Sequence, residues 1–245
     1  MSFLKHLFNF GTDRGYQKGI YYYNRHMYRE AIEQFQNVLK RKSPFLNLER
    51  NLAQFYRAQA YRNLGIVLFA TGNTSSALRK FQKALELNPE HVDLYYFIGV
   101  CLNNIGKCKD AINAFNHILR FNPDHLPTKF KLAITFHNLK MWNRAISIYK
   151  EILTKHPDYA DIHFHLGLAL LGKTNLIEAI NAFQKALDIN PNYVDARIKL
   201  GITQTYLGKF DEALRNFSFL NEKFPEYSDI HYFLGIIFAS RNEIG

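Results

Sequence analysis

Cysteine is scarce in this 245-residue sequence, and long apolar runs are missing. The two cysteines, Cys101 and Cys108, are too few for a secreted disulfide scaffold, and their spacing matches no common zinc pattern. No stretch approaches the roughly 18 consecutive apolar residues of a membrane span. The start, MSFLKHLFNF, lacks the long apolar core and the cleavage site of a signal peptide. These absences predict a soluble, cytoplasmic protein with reduced thiols.

The motifs of common enzymes are missing as well. The sequence has no G-x-G-x-x-G or G-x4-G-K-[ST] phosphate loop, no G-x-S-x-G nucleophile elbow and no H-E-x-x-H zinc motif. His163 and His165 would point about 200° apart on a helix, so they could not chelate one ion together. The sequence therefore predicts a chain that is not an enzyme and that holds no cofactor or metal.

The positive charge is concentrated near the start of the chain. Of the net charge of +10, most lies in residues 1–57, which carry ten Lys and Arg against four Asp and Glu. Lys40, Arg41 and Lys42 stand where a helix would end, and cations suit the negative end of the helix dipole. The alternative is that this region meets an acidic partner or an anionic membrane.

The sequence does contain a repeat with a period of 34 residues. Small residues recur at this interval, at Gly65, Gly99, Ala133, Gly167, Gly201 and Gly235, and Gly19 precedes the series. An alanine follows twelve residues after each of these small residues except Gly235, which lies too near the end of the sequence. These alanines are Ala31, Ala77, Ala111, Ala145, Ala179 and Ala213. An aromatic residue follows four residues after each alanine, namely Phe35, Phe81, Phe115, Tyr149, Phe183 and Phe217. A proline follows eight residues after each of these aromatic residues except Phe35. A fixed period with this punctuation indicates a repeat architecture.

The pattern resembles that of the tetratricopeptide repeat (TPR) family, W-x2-L-G-x2-Y followed by A-x3-F and proline. The leucine–glycine pair recurs as Leu64-Gly65, Leu166-Gly167, Leu200-Gly201 and Leu234-Gly235. The family's tryptophan position holds Tyr61, Tyr95, Lys129, His163, Arg197 and His231 instead. The resemblance covers residues 12–245. It implies an all-α fold, a right-handed superhelix (α-solenoid) of antiparallel helix pairs with a concave side.

Helical periodicity explains the residue types independently of the resemblance. Repeat positions 4, 7, 8 and 11 share one face of a first helix, and positions 20, 24 and 27 share one face of a second helix. Glycine at position 8 and alanine at position 20 let the two backbones approach closely. Proline at position 32 cannot continue the second helix, so it ends it.

The repeat register gives the domain boundaries. We predict repeats at 12–45 (degenerate), 58–91, 92–125, 126–159, 160–193 and 194–227, and a partial seventh repeat, its first helix only, at 228–245. Residues 46–57 are a helical insertion that extends the first helix of the second repeat. The insertion braces the start of the array, or it forms a separate docking surface.

The two ends of the chain are apolar. Residues 1–11 carry a stripe of Phe3, Leu4, Leu7 and Phe8, which folds back onto the first repeats or makes weak contact with a membrane. The last helix is apolar nearly all round, unlike the polar outer face of a usual final helix. We favour a protein that continues past Gly245, and self-association through this helix is the alternative.

The face of each first helix opposite its core stripe predicts the binding site. Such a face is normally polar, but here positions 5, 9 and 12 are mainly apolar and aromatic, which makes a poor track for nucleic-acid phosphates. We expect a groove for a hydrophobic or amphipathic segment of a protein or peptide. Its predicted residues are Arg62, Ile66, Phe69, Tyr96, Val100, Asn103, Asn104, Phe130, Lys131, Ile134, His137, Asn138, Phe164, His165, Leu168, Lys199, Ile202 and Tyr232.

The resemblance implies a role as a scaffold, because TPR proteins hold peptides or partner proteins. Position 6 carries no ladder of asparagines of the kind that some members use to recruit substrates for an attached glycosyltransferase. The predicted function is therefore a non-catalytic protein-interaction scaffold. The alternative is the recognition arm of a larger enzyme whose catalytic domain lies outside this chain. Within the groove, Tyr96, Phe130 and Phe164 are expected to form a ladder that carries the binding energy.

Overall fold

The computed structural model describes residues 13–41 and 47–240, and every regular element in these ranges is an α-helix. The predicted segment 1–11 and the last five residues lie outside the described part of the chain. Residues 1–125 and 126–245 form two compact units. The first contains α1 (Arg14–Asn24), α2 (Tyr28–Lys40), α3 (Asn47–Ala70), α4 (Thr74–Leu87), α5 (Asp93–Asn104) and α6 (Cys108–Phe121). The second contains α7 (Leu126–Asn138), α8 (Trp142–Lys155), α9 (Ala160–Gly172), α10 (Leu176–Ile189), α11 (Val194–Tyr206), α12 (Phe210–Lys223) and α13 (Ser228–Ser240).

Within each unit, every helix packs against the next helix along the chain. In each pair, the first helix has an odd number and the second helix has the next even number. This arrangement confirms the predicted all-α fold class of helix pairs.

A small-residue contact holds each pair together. The ring of Phe115 on α6 lies against Gly99 on α5, and a Cβ atom at Gly99 would be 2.5 Å from Phe115 Cε1. Ala111, one turn before Phe115, is also fully buried. The same contact joins Gly65 to Phe81, and the lack of a Cβ atom explains why glycine stands at this position.

A tight turn with one left-handed residue separates the two helices of a pair. The left-handed residues are His26, Gly72, Gly106, Lys140, Thr174 and Gly208, and from Gly72 onwards they are 34 residues apart. After α5, the Lys107 N–H donates to the Leu102 carbonyl at 2.8 Å, which closes the helix end around Gly106. Glycine suits this backbone conformation, whereas the β-branched Thr174 is strained in it.

Side chains at the family's tryptophan position hold the loops that precede α9, α11 and α13, whereas Lys129 at this position of α7 pairs with Glu151. Arg197 donates from Nη2 to the Pro191 carbonyl at 2.8 Å. His163 Nε2 lies 2.8 Å from the Pro157 carbonyl, and His231 Nε2 lies 2.7 Å from the Pro225 carbonyl. Since a carbonyl only accepts, each of these histidines carries a proton on Nε2. Their structural role is to fix the chain where the next helix begins.

The inserted residues belong to one continuous helix of 24 residues, α3. Its first half packs on the preceding pair, because Ala53 is fully buried and the ring of Tyr56 stacks on Phe35 at 5.9 Å. Leu48 and Phe55 on the same helix remain about half exposed. None of the described helices combines the length and the apolar character needed to cross a lipid bilayer.

Candidate protein-binding surface

In the first unit, the predicted face consists of residues from α3 and α5. Ile66 is 36% exposed, and Phe69, Tyr96 and Val100 are partly exposed. The ring of Tyr96 contacts the ring of Phe115, which anchors it to the core of its own pair. The apolar strip therefore lies at the surface of the first unit, and its Tyr96 ring packs on the buried Phe115 ring.

A pocket of about 330 Å³ opens beside Tyr96. Its walls are Arg62, Val92, Asp93, Tyr96, Phe97, Ile118, Phe121, Asn122 and His125. The ring of Phe121, the last residue of α6, is 71% exposed. This volume is at the lower end of the range for ligand pockets and is large enough for one large side chain.

The pocket combines aromatic and aliphatic side chains with two charged residues. The Arg62 guanidinium lies 5.9 Å from the centre of the Phe97 ring. The Tyr96 ring meets the His125 ring edge-on at 6.4 Å. Burial raises the pKa of the Tyr96 phenol, so its hydroxyl stays neutral at physiological pH. Arg62 and Asp93 put both signs of charge beside an apolar cavity.

In the second unit, the predicted face comes from α7, α9, α11 and α13. Ile134, Leu168 and Ile202 stand at the same position of three neighbouring repeats, and all three are partly exposed. Lys131, His165 and Lys199 are partly exposed beside them, and Asn138 is exposed. Tyr232, on the last helix, is 66% exposed.

Two of the three expected ladder residues have packing roles in the second unit. Phe164 is only 9% exposed, and its ring contacts the rings of Tyr193 at 5.0 Å and Phe183 at 5.8 Å. Phe130 is partly exposed, and its ring meets that of His165 at 5.1 Å. Phe164 therefore offers little surface to a partner, and Phe130 offers only part of its ring.

His165 and His137 lie in apolar surroundings. Burial lowers the pKa of His165 to about 4, with smaller contributions from His137 and Lys131. Burial also lowers the pKa of His137, whose ring meets Trp142 edge-on at 4.8 Å. Both imidazoles are therefore neutral at pH 7 and act as polar aromatic rings rather than as cations.

Phe121 and His125 were not among the residues predicted from the sequence. Both come from the end of a repeat, whereas the prediction rested on the exposed face of the first helix of each repeat. The signal in the sequence was the aromatic residue Phe121 at repeat position 30, near the end of the second helix. The other complete repeats after the insertion have Leu87, Lys155, Ile189 and Lys223 at this position.

Among residues 13–41 and 47–240, no three His, Cys, Asp or Glu side chains come together as a metal site would require. Cys101 is buried and Cys108 is partly buried, and neither forms a disulfide in the described part of the chain.

Known proteins place the chain in a family. Four family models, each described as tetratricopeptide repeat, match residues 58–91 and 160–193, residues 182–215, residues 128–159 and residues 16–67. No curated protein matches the sequence. The models together match residues 16–91 and 128–215, which is well over half of the chain.

Solved structures resemble the chain in fold. MamA of Desulfovibrio magneticus RS-1, from residue 41 to its end, has a TM-score of 0.62 and 24% identity, over 67% of this chain and 93% of that one. A thermophilic TPR protein of Thermus thermophilus has a TM-score of 0.57 and 22% identity, over 74% of this chain and 99% of that one. Likeness at this identity shows the fold alone. The family models and the repeated pairs of helices show that the chain belongs to the tetratricopeptide repeat family.

Proposed function

We propose that this protein is a non-catalytic scaffold that binds an apolar or amphipathic segment of a partner protein. The observation that carries the proposal is the aromatic pocket of the first unit, beside the exposed apolar strip of α3 and α5. TPR arrays in general present such surfaces to protein partners.

Tyr96 and Phe121 are the proposed anchors. Phe121 is 71% exposed and lines the same pocket as Tyr96, so an apolar side chain of the partner in this pocket would contact both rings. Aromatic anchors in desolvated pockets commonly contribute about 2 kcal/mol or more each when truncated. Arg62 and Asp93, at the edge, would bond the polar groups of the same segment and set its direction.

The second unit has an apolar strip of its own, which would bind more weakly. Ile134, Leu168 and Ile202 offer a narrower apolar strip, because Phe164 is covered by Tyr193. Lys131 and Lys199 flank this strip, and charges at a rim affect the association rate and its salt dependence more than the affinity. A partner segment with apolar residues for the strip and acidic residues for Lys131 and Lys199 would fit this surface.

The buried thiol of Cys101 fits a scaffold better than a thiol enzyme. Cys101 has no exposed surface, and burial raises the pKa of its thiol to about 11, so a thiolate does not form at physiological pH. A cytoplasmic location, where thiols stay reduced, belongs to the same proposal.

A displayed library of random peptides, selected on the immobilised protein, tests the proposal. The enriched peptide would be labelled, and its affinity measured by fluorescence anisotropy. We expect Tyr96→Ala and Phe121→Ala each to weaken binding by about tenfold or more. Ile177→Ala, which truncates a side chain 67% exposed on α10, should leave the affinity unchanged.

Melting temperatures separate binding from folding in the same experiment. Phe121→Ala should leave the melting temperature nearly unchanged, because the ring is mostly exposed. Failure to enrich any peptide, or equal affinity for all three variants and the parent, would reject the pocket as the binding site.

A further inference from the structure

The second unit contains a pocket that carries two cations. The pocket has a volume of about 250 Å³ and is lined by the loop before α11, by α11 itself and by the end of α12. Val194, Leu220 and Phe224 contribute apolar walls, and the charged residues of the lining are Arg197 and Lys223. The lining thus combines apolar surface with two positive charges and contains no carboxylate.

Both cations lie beside the ring of Phe219, which also lines the pocket. The guanidinium carbon of Arg197 is 4.0 Å from the centre of this ring, and Lys223 Nζ is 4.7 Å from it. The ring attracts each cation through its quadrupole. Because the ring has no net charge, it leaves the repulsion between the two cations uncompensated. An anion in the pocket would compensate this repulsion.

The polar partners of the two cations among the described residues are neutral. Arg197 donates to Asn216 Oδ1 at 3.3 Å and to the Pro191 carbonyl at 2.8 Å. Lys223 donates to Asn192 Oδ1 at 3.0 Å. A guanidinium has five N–H donors and an ammonium has three, so more than half of these donors are left for water or a ligand.

The pKa of Arg197 agrees with this set of partners. Burial lowers the pKa of its guanidinium, whereas a carboxylate beside it would raise the pKa. The guanidinium nevertheless stays charged at physiological pH.

An earlier repeat of the same unit places a carboxylate where this pocket has none. The three residues around the ring have counterparts two periods earlier, namely Lys129 for Arg197, Glu151 for Phe219 and Lys155 for Lys223. In that earlier repeat, Lys129 on α7 forms an ion pair with Glu151 on α8. The later repeat has a phenylalanine at the position of Glu151. The helix pair therefore accommodates a carboxylate beside this cation, and a ligand could supply it to Arg197.

We propose that this pocket binds an Asp or Glu side chain of a partner polypeptide. Its carboxylate would lie with Arg197 and Lys223, as the carboxylate of Glu151 lies with Lys129. An apolar neighbour of the acidic residue would cover the apolar walls, which a free inorganic anion would leave exposed. None of the lining residues belongs to the predicted groove, so this is a further binding site, beyond the proposed pocket of the first unit.

Short capped peptides with one acidic residue test the proposal. The probe is acetyl-Leu-Glu-Leu-amide, whose glutamate carries the only charge. Its binding to the full 245-residue chain would be followed by NMR at pH 7.5, through the backbone amide shifts of residues 219–224. We expect saturable shifts, and we expect acetyl-Leu-Gln-Leu-amide to bind at least about tenfold more weakly, because it lacks the hydrogen bonds between charged groups.

Phe219→Glu would place a carboxylate inside the pocket, as Glu151 does in the earlier repeat. It should weaken binding of the glutamate peptide by about tenfold or more and leave the melting temperature undiminished, because the new side chain pairs with Arg197. Arg215→Ala removes an exposed charge from the same helix and should leave the affinity unchanged.

Arg197→His keeps the contact with the loop and removes the guanidinium. His163 and His231 hold the corresponding loops from the same repeat position, so this variant should fold. An imidazole with an ordinary pKa is mostly neutral at pH 7.5, and we therefore expect at least about tenfold weaker binding of the glutamate peptide. Tyr96→Ala, in the first unit, should leave this binding unchanged.

Four results would overturn the proposal. The glutamate peptide could fail to bind, or the glutamine peptide could bind equally well. Folded Arg197→His could bind the glutamate peptide as tightly as the parent does. Finally, acetyl-Leu-Gln-Leu with a free carboxyl terminus could bind more tightly than the glutamate peptide, which would assign the pocket to the end of a chain rather than to an acidic side chain.

Discussion

Gly99 and Phe115 are in such close contact that the space above the glycine cannot hold even one methyl group, since its carbon would lie 2.5 Å from the ring. We expect Gly99→Ala to lower the free energy of unfolding by about 1–3 kcal/mol, the usual effect of overpacking. This loss would appear although alanine favours helix over glycine by about 1 kcal/mol. Urea unfolding followed by circular dichroism measures the change.

Gly235→Ala is the matched control for Gly99→Ala. Its surroundings are open, so only the helix preference of alanine remains, and stability should rise by a few tenths to about 1 kcal/mol. Equal effects of the two substitutions would contradict the packing argument.

Tyr149→Phe should stabilise the second unit. Tyr149 has no exposed surface, and its hydroxyl has no hydrogen-bond partner among the described residues. Five other repeats place phenylalanine at this position, so the ring without its hydroxyl fits the fold. Removing an unsatisfied buried hydroxyl should gain about 1 kcal/mol, measured as a higher urea midpoint at constant slope. A lower midpoint would show that the hydroxyl is hydrogen-bonded in solution.

His165 makes stability depend on pH. Its pKa falls from 6.5 in the unfolded chain to about 4 in the folded protein, so below pH 6.5 the unfolded state binds more protons. The stability that His165 contributes should therefore be constant above pH 7, decrease as the pH falls from 6.5 to 4, and change no further below pH 4. Each unit of pKa difference corresponds to about 1.4 kcal/mol, reduced by any exposure of the ring.

His165→Phe should remove most of this pH dependence. Phe97 and Phe233 occupy the same repeat position and stack on Phe81 and Phe217 at 5.1 Å, as His165 stacks on Tyr149 at 6.1 Å. Urea midpoints at pH 7 and pH 5 would be compared for the parent and the variant. An unchanged difference between the two pH values would assign the dependence to other groups.

Thr174→Gly should relieve strain in the turn after α9. Thr174 has a φ of 60°, a conformation in which a β-branched residue is rare. The greater freedom of glycine in the unfolded chain offsets part of the relieved strain. The free energy of unfolding should still rise by about 0.5–1 kcal/mol. Gly208→Thr, the reverse change at the equivalent turn, should lose at least as much. Thermal unfolding of both variants tests the pair, and a loss with Thr174→Gly would contradict the strain argument.

The sequence was sufficient to predict the helix pairs, because the period of 34 residues places Gly99, Ala111 and Phe115 in contact within one repeat. It was less informative about exposure. Phe130 and Phe164 share a repeat position, yet Phe164 is covered by Tyr193, which belongs to the loop before the next first helix. Exposure depends on such neighbours from another part of the repeat, and helical periodicity gives only the direction in which a side chain leaves its own helix.

The pocket of the first unit shows the same limit. Its wall combines Tyr96, Phe121 and Arg62, from α5, α6 and α3. Their positions within the repeat predicted Tyr96 and Arg62 as binding residues. They did not predict that Phe121 would line the same pocket, because that depends on where α6 ends relative to its neighbours. The repeat boundaries, and with them the binding role of each residue, remain predictions.

The packing of each helix on its sequence neighbours has a consequence for the way the chain folds. Contacts in each unit join residues that are close along the chain, so only short loops must close before stabilising contacts form. Folding can therefore start at any pair of helices and spread to its neighbours, and unfolding should begin at the pairs with only one neighbour. Among the described helices, α13 packs mainly on α12 and its Gly235 is uncovered, so we expect the 245-residue chain to show the fastest amide exchange of this unit in α13.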